Sequence, residues 1–403
     1  MNSFLNRFIN KKNIHLDFAA TTPVDFSVYK AMKPFFSKDF FNPSSSYKDA
    51  ISIKKSISKF RTNISRFFQV KENEVFFTQG GTESNNIAII GLAKHVLQNN
   101  EFIPHMIFSS IEHPAISECI PVLKKMGVDI DIVPVSEKGI VQTKVLEKLI
   151  NERTILISII LVSNELGVIQ PIHKISSVVK KYKNKIHRTF SQYPFVHTDA
   201  SQAVITENLN TSVLGVDMIS IDGSKMYAPK MSGLLIKKQF IKLSPVLYGG
   251  GQEGGLRSGT EHAASIAGLS KALDIVEFRK TKDIEKFNTL KKLFIQELDA
   301  SCLSYTINGD IENSAPHILN ICIQGLNSDF AIIQLDELGI NCSAMTACAS
   351  SKGIPKSDVI IALGRPECAQ SSLRFSFGRT TTPREIKKAV KALVDVCKKQ
   401  KVV

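Results

Sequence analysis

Residues 74–96 read EVFFTQGGTESNNIAIIGLAKHV, and this stretch is the most informative about the fold. The apolar run EVFFT leads through Gly80 and Gly81 into TESNNIAIIGLAKHV, a pattern that predicts a strand, a tight turn and a helix. Where a strand turns into a helix, free backbone N–H groups and the helix dipole attract an anion such as phosphate. Gly81 and Thr82 therefore form a candidate phosphate cradle, although glycine also has a purely backbone use in turns.

The same alternation of apolar runs and amphipathic stretches continues from about residue 14 to 270. TILISIILVSNE, FVHTDASQAV and DMISIDGSK are further strand-like runs, and each ends in polar residues. Repeated strand–helix units predict an α/β fold with a mainly parallel sheet between helices, which binds ligands beyond the carboxyl ends of its strands. After residue 270 long helical segments and short strands follow. We therefore predict a large domain over 14–270 and a smaller α+β domain formed by 1–13 and 271–403.

Two polar segments are predicted to lie outside the regular elements. Residues 180–194, KKYKNKIHRTFSQYP, are basic and predict a surface loop. Residues 248–262, YGGGQEGGLRSGTEH, are too rich in glycine for a helix or a strand and predict a long functional loop. A Thr-Pro start signal at the beginning of TPREIKKAVKALVDVCKK predicts a closing helix.

The composition excludes several classes of protein. The chain of 403 residues carries a formal charge of +14, but its lysines are scattered and no recognition motif interleaves them with aromatics, which argues against nucleic-acid binding. An acidic protein partner is a more plausible use of the charge. No apolar run approaches the ~18–20 residues of a membrane span. The N-terminus lacks an apolar segment and a cleavage site, so we expect a cytoplasmic protein, with a short organellar targeting remnant left open.

The cysteines suggest a reactive thiol rather than a set of structural disulfides or a zinc site. They are seven, an odd number without CxxC spacing, which argues against a disulfide framework or a zinc site and for a reducing compartment. No metal is expected. Cys348 lies in SAMTACASSKG, a run of small and polar residues, where an exposed thiol can ionise and react.

Charged residues follow two of the predicted strands. Lys225 comes after Asp222, Gly223 and Ser224 at the end of an apolar run, and it is either a solvated charge or a nucleophile. Asp199 ends a buried-looking strand, where a carboxylate is costly unless it is paired. Its partner is either a protonated ring nitrogen or, if Asp199 is a helix N-cap, the backbone.

Three further residues each allow a structural and a functional interpretation. His113, in SSIEHPAI, is either structural or catalytic. Asn164, which follows another strand, is either a binding residue or part of a turn. Arg374, in SSLRFSFGR, alternates with apolar residues and should bind a carboxylate through its planar fork, either one of the protein or one of a substrate. A phosphate cradle, a ring-pairing acid, a lysine, a carboxylate clamp and a thiol together fit pyridoxal phosphate acting on an amino acid whose sulfur passes to a cysteine.

An ordered set of motifs carries a family resemblance along nearly the whole chain. The motifs are LDFAATTPVD, NPSS, FFTQGGTESNNIAI, SSIEHPAI, SNELGVIQPI, HTDASQA, GSKMYAPK, GGGQEGGLRSGTEH, APHILNI, TACASS and SSLRFSFGRTTT. With them the chain resembles the cysteine desulfurases of the IscS/NifS kind, within the class V aminotransferase group of fold-type-I enzymes. The resemblance implies a large domain built on a mainly parallel seven-stranded sheet. RSGT and the loop around Cys348 resemble this kind and differ from the Suf-type enzymes.

The resemblance also implies a role for each site residue. Lys225 would be linked covalently to pyridoxal 5'-phosphate, His113 would stack on its ring and assist proton transfer, and Cys348 would carry the sulfur of L-cysteine as a persulfide. Arg374 would clamp the substrate carboxylate, with Asn164 nearby. The implied cofactor-binding residues are Gly81, Thr82, His113, Asn164, Asp199, Gln202, Ser224, Lys225 and Thr260. Because Thr260 would reach the phosphate bound by the other subunit, a homodimer is implied.

The implied activity is desulfuration of L-cysteine to L-alanine, with the sulfur passing to an acceptor or an iron–sulfur scaffold protein, for cluster assembly or tRNA thiolation. The alternatives are a selenocysteine lyase or other class V enzyme, and a degenerate, non-catalytic assembly subunit. Several positions depart from the family pattern. Asp222 stands where a small hydroxyl residue is usual, Ser224 where histidine is, Met231 where glycine is, Gly254 where arginine is, and Met345 interrupts the pattern before the cysteine.

Overall fold

The computed structural model describes residues 13–99, 102–185, 192–344 and 356–402. The strands are β1 (Ile14–His15), β2 (Val75–Thr78), β3 (His105–Ser109), β4 (Asp129–Val133), β5 (Thr154–Ser158), β6 (Phe195–Asp199), β7 (Met218–Asp222), β8 (Gly233–Lys237), β9 (Thr306–Ile307), β10 (Ile318–Cys322), β11 (Ile340–Asn341) and β12 (Ser372–Ser376). The helices are α1 (Phe26–Met32), α2 (Pro34–Ser37), α3 (Lys48–Phe68), α4 (Gly81–Asn99), α5 (Pro114–Ser117), α6 (Cys119–Lys125), α7 (Thr143–Leu149), α8 (Ile172–Lys185), α9 (Thr211–Leu214), α10 (Ala263–Ala300), α11 (Ser328–Glu337), α12 (Asp358–Ala362) and α13 (Pro383–Lys399).

A seven-stranded sheet organises the N-terminal two thirds of the chain. Its strand order is β2-β8-β7-β6-β5-β3-β4, and all pairings are parallel except the two made by β8. Successive residues Met106, Ile107 and Phe108 of β3 belong alternately to two buried apolar clusters, so the sheet has a core on each face. The predicted α/β fold with a mainly parallel seven-stranded sheet is confirmed.

The C-terminal part forms a second, smaller set of strands. β12, β10 and β9 make an antiparallel sheet, while β1 pairs with β11 in parallel. Helix α10 runs unbroken across residue 270, so the predicted division between the domains falls inside a helix and stays a prediction. Helix α13 begins as predicted, because the Thr382 hydroxyl and the Glu385 carboxylate form a capping box around Pro383.

Two expectations differ from the structure. Residues 180–185 continue α8 rather than start a loop, because partly buried Tyr182 packs against the same core as Ile172, Ile175 and Val179 and so continues their helical stripe. Cys322 and Cys368 form a disulfide, with their Cα atoms 5.5 Å apart, where the cysteine spacing argued against a disulfide framework. Spacing along the chain does not show which cysteines come together beside the paired strands β10 and β12.

Along the described ranges, no helix combines the length and the apolar composition that a membrane crossing requires. The glycine-rich segment 248–262 is irregular, as predicted, apart from a short helical turn at Glu253–Gly255. Buried Glu253 anchors this segment, because its carboxylate accepts hydrogen bonds from Arg61 and from the backbone N–H of Phe77.

Candidate functional site

A cavity of about 470 Å³ opens at the carboxyl ends of the central strands. It brings together most of the residues that the sequence pointed to, from both parts of the chain. Those in its wall are Gly81, Thr82, His113, Asn164, Asp199, Gln202, Lys225 and Arg374. Ser224 and Thr260 do not belong to this wall, and exposed Thr260 lines a second cavity of about 340 Å³. Cys348 and Met345 lie outside the described residues.

The start of helix α4 forms one end of the cavity. The N–H groups in the first turn of a helix have no acceptor within it, so they are available to an anion. A Cβ on Gly81 would stand 3.1 Å from Ser201 Oγ and 3.2 Å from Asp222 Cβ, so only glycine leaves this end free of crowding. Ser201 Oγ is buried and finds no hydrogen-bond partner among the described residues. These features form a cradle with unused donors.

Asp222 stands beside this cradle. Its Oδ1 accepts the backbone N–H of Ser224 at 2.8 Å and so caps the helical turn Gly223–Lys225. The carbonyl of Ser224 accepts two hydrogen bonds from Thr22, both at 2.8 Å. The turn that carries Lys225 is therefore fixed from both sides.

Asp199 is held at the floor of the cavity. Its Oδ2 accepts from Asn85 Nδ2 at 2.7 Å, and its Oδ1 accepts from the backbone N–H of Ser201 at 2.9 Å. Two residues earlier, buried His197 bridges Ser158 Oγ and Ser220 Oγ on the neighbouring strands. Burial lowers the pKa of His197 to about 4, so the ring is neutral and its role is to fix the strand.

Lys225 and His113 are both partly withdrawn from water. Burial lowers the pKa of Lys225, an effect that the nearby Asp222 carboxylate opposes. The Lys225 ammonium donates to the carbonyl of Ala20. Burial also lowers the pKa of His113, whose Nδ1 accepts the backbone N–H of Ala115 at 3.0 Å. A neutral His113 with this bond carries its proton on Nε2.

Arg374 closes the opposite end of the cavity. Its guanidinium donates to the carbonyl of Asn164 at 2.8 Å and to Asp17 Oδ1 at 2.7 Å, while its buried Nε has no partner among the described residues. Beside it, Glu165 is partly buried and accepts a hydrogen bond from Ser357 Oγ. Burial raises the pKa of Glu165 to about 7. The arginine thus has a carboxylate of the protein as one partner and an unused donor for another.

Three residues that line the cavity were not predicted from the sequence. Asn85, Ser201 and Asp17 all line it, and each lies within a motif that was quoted without being assigned a role. Asn85 and Ser201 stand within four residues of the predicted site residues Thr82 and Asp199, whereas no predicted site residue lies near Asp17. The partners of Asn85 and Asp17, which are Asp199 and Arg374, are far away along the chain.

Residues 14–389 match the family model described as aminotransferase class-V. The chain belongs to this family. A cysteine desulfurase IscS of Dictyoglomus turgidum is 36% identical over 390 residues, which are 96% of this chain and 95% of the relative. A putative cysteine desulfurase IscS 1 of Bacillus subtilis is 34% identical and covers 96% and 99%. Among solved structures, a NifS-like protein has a TM-score of 0.87 at 28% identity, covering 96% of this chain and 99% of that one.

Class-V aminotransferases work with pyridoxal 5'-phosphate, and the cavity of this member fits that group. The cradle at Gly81 offers backbone donors and the unpartnered Ser201 hydroxyl to a phosphate. Asp199, fixed by Asn85, would pair with a protonated ring nitrogen, and Lys225 would supply the amine. One residue does not match, because the Asp222 carboxylate stands at the cradle.

Proposed function

We propose that this protein is a cysteine desulfurase that removes sulfur from L-cysteine, leaves L-alanine and holds the sulfur as a persulfide on Cys348. The observation that carries the proposal is the single cavity that joins Lys225, Asp199 and the Gly81 cradle at one end to Arg374 at the other. Relatives at 36% and 34% identity that are named as cysteine desulfurases support the same reaction.

One cavity residue would bind the substrate carboxylate, and another would accept a proton from the substrate. Arg374, which lines the cavity and is held by the carbonyl of Asn164, would bind the substrate carboxylate. Lys225, whose pKa burial lowers, can take the proton of the substrate α-carbon as a neutral amine. When bound, the cofactor would supply an electron sink for the pair left behind. Asp199 would keep the ring nitrogen protonated, and His113, whose pKa burial lowers, would be a neutral hydrogen-bonding group on the wall.

The sulfur step needs a thiol that reaches the substrate. As thiolate, Cys348 attacks the substrate sulfur, so that an S–S bond forms while the Cβ–S bond breaks. The former Cβ keeps the electron pair and takes a proton, which gives alanine. Cys348 lies outside the described residues, but the residues on both sides of segment 345–355 are tied to the cavity wall. Ser343 bonds the backbone of Arg374, and Ser357 bonds Glu165.

A steady-state assay tests the proposal. Purified protein with added pyridoxal phosphate, L-cysteine and a reductant is expected to release alanine and sulfide in equal amounts. Cys348→Ala should abolish both, whereas Cys302→Ala, which removes a free exposed thiol elsewhere, should leave both unchanged. Equal rates in the two variants would refute the role of Cys348. Alanine from selenocysteine but not from cysteine would assign a selenocysteine lyase instead.

We further propose that the protein is a cytoplasmic homodimer that passes its sulfur to an acceptor or iron–sulfur scaffold protein. In support, Thr260 lines the second cavity together with Phe36 and Met231, whose side chains are largely exposed. A partner subunit bound there would cover this apolar surface. Thr260 would then lie beside the phosphate of the cofactor that the partner subunit binds. Sedimentation at several concentrations tests the dimer, and a Thr260→Ala variant that is dimeric but binds the cofactor less tightly is the expected result.

A further inference from the structure

The carboxylate at the phosphate cradle is the feature of this cavity that cofactor binding does not explain. Asp222 Oδ2 lies 3.6 Å from the point where a Cβ on Gly81 would stand, and 3.8 Å from the corresponding point on Gly80. It therefore lies against the start of helix α4, the place where an anion would bind. Its side chain also belongs to the cavity wall.

The local structure holds Asp222 in this position. Oδ1 accepts the backbone N–H of Ser224, and the aspartate is the last residue of strand β7, paired with Gly233 on β8. Rotating the carboxylate away would leave the turn before Lys225 without its cap. The second carboxylate oxygen accepts no hydrogen bond within the described residues. The titratable groups that interact electrostatically with Asp222 are Lys225 and His113, and the Lys225 ammonium donates to the carbonyl of Ala20 rather than to Asp222.

Two negative groups on one cradle repel each other, and the repulsion is strong where water is partly excluded. A phosphate with a second pKa near 6 is dianionic at neutral pH. The two groups can share the site when one proton lies between them, as in other pairs of close acids. Binding of the cofactor would then take up a proton that neither group holds in solution.

We propose that Asp222 makes the hold on the cofactor phosphate proton-dependent, so that the affinity for pyridoxal 5'-phosphate falls as the pH rises above neutrality. The proposal rests on the use of this cofactor by the protein. Asp222 weakens cofactor binding and makes the affinity depend on pH, because its carboxylate and the phosphate must share a proton. The donors of the cradle and Ser201 hold the phosphate in spite of it.

The test compares two cofactor forms on the apoprotein. Dissociation constants are measured by absorbance titration for pyridoxal 5'-phosphate and for pyridoxal, which has no phosphate, between about pH 7 and 9, where the free phosphate is dianionic. The ratio of the two constants reports the phosphate alone, because the state of Lys225 affects both forms equally. In the wild type this ratio should change at least about tenfold across the range, in favour of pyridoxal as the pH rises.

Asp222→Asn isolates the charge, because the amide oxygen still caps Ser224. We expect the ratio to change less than about threefold with pH in this variant, and the phosphorylated form to bind at least about tenfold more tightly than in the wild type near pH 9. Asp222→Ser should shift the ratio in the same direction. Asp25→Asn, which removes a charge outside the cavity but still caps helix α1, should behave as the wild type.

Each outcome has a separate meaning. Equal ratios and equal pH profiles in the wild type and Asp222→Asn would overturn the proposal, as would weaker binding of the phosphorylated form in the variant. If pyridoxal 5'-phosphate binds none of the folded proteins, the cofactor assignment itself fails. Calorimetry in two buffers of different ionisation enthalpy gives an independent check, with the wild type taking up about one proton more than the variant.

Discussion

Arg374 shows how one side chain is fixed before any substrate arrives. Its alternation with apolar residues predicted a buried, oriented guanidinium and left open whether the carboxylate it binds belongs to the protein or to a substrate. The structure gives it Asp17 and the carbonyl of Asn164 as partners. The sequence did not reveal Asp17, because 357 residues separate the two side chains along the chain.

A lysine at position 374 should impair substrate binding more than catalysis. Arg374→Lys keeps the charge but loses the planar fork, so we expect KM for L-cysteine to rise about tenfold or more while the cofactor remains bound. The measurement is steady-state alanine formation together with the cofactor content of the protein. An unchanged KM would show that the substrate carboxylate binds elsewhere.

Met231 departs from the glycine usual at its position and has a φ of 57°, in the left-handed region. Its side chain is 66% exposed, so little burial offsets the strain. Met231→Gly should raise the free energy of unfolding by roughly 0.5–1 kcal/mol, which is the relieved strain less the entropy that glycine costs. Met231→Ala is the control, since alanine keeps the strain. Equal stability of both variants in denaturant titrations would argue against strain.

Glu112 gives the stability a predictable pH dependence. Burial raises its pKa to about 8, and its Oε2 has no partner among the described residues. Because the folded state holds a proton that the unfolded state loses near pH 4.5, stability should fall as the pH rises from about 4.5 to 8, by at most about 1.4 kcal/mol per pH unit. Glu112→Gln should remove this part of the slope in unfolding titrations. A slope as steep as that of the wild type would contradict the assignment.

At the scale of elements, the turn before helix α4 depends on strand β8. A Cβ on Gly233 would stand 2.6 Å from the Cα of Gly80, so the strand lies directly against the turn. Gly233→Ala should displace the turn, lower the free energy of unfolding by about 1–3 kcal/mol and weaken cofactor binding. Thermal unfolding of the apoprotein and cofactor titration check the two effects. Loss of stability with unchanged cofactor affinity would show that the cradle tolerates the shift.

The elements also show what the sequence could and could not predict. The run from EVFFT to the following helix predicted β2 and α4 well, because local periodicity and a glycine turn set both. Helix α8 extends farther than the basic composition of residues 180–185 suggested, since Tyr182 packs partly buried against the core one turn after Val179. The pairing of Cys322 with Cys368 was not predicted, because it depends on which segments lie together in three dimensions.

For the whole molecule, the order of the motifs predicted the fold and most of the cavity, since strand ends of one parallel sheet meet at one edge. Ser201, Asn85 and Asp17 were assigned to the site only by the structure. Asn85 and Asp17 bind Asp199 and Arg374, which are far from them along the chain, while the backbone N–H of Ser201 donates to Asp199 two residues earlier. The sequence showed only that Asp222 replaces the usual hydroxyl residue, and the structure places its carboxylate beside Gly81.

A single-turnover experiment shows whether the sulfur of L-cysteine passes to Cys348. Holoenzyme is mixed with L-cysteine in the absence of reductant, quenched with an alkylating reagent, and analysed for alanine and for the mass of the peptide that contains Cys348. We expect one alanine per subunit and an equal amount of Cys348 carrying one added sulfur atom. Alanine formed without added sulfur on Cys348, or sulfur found on Cys302 instead, would contradict it.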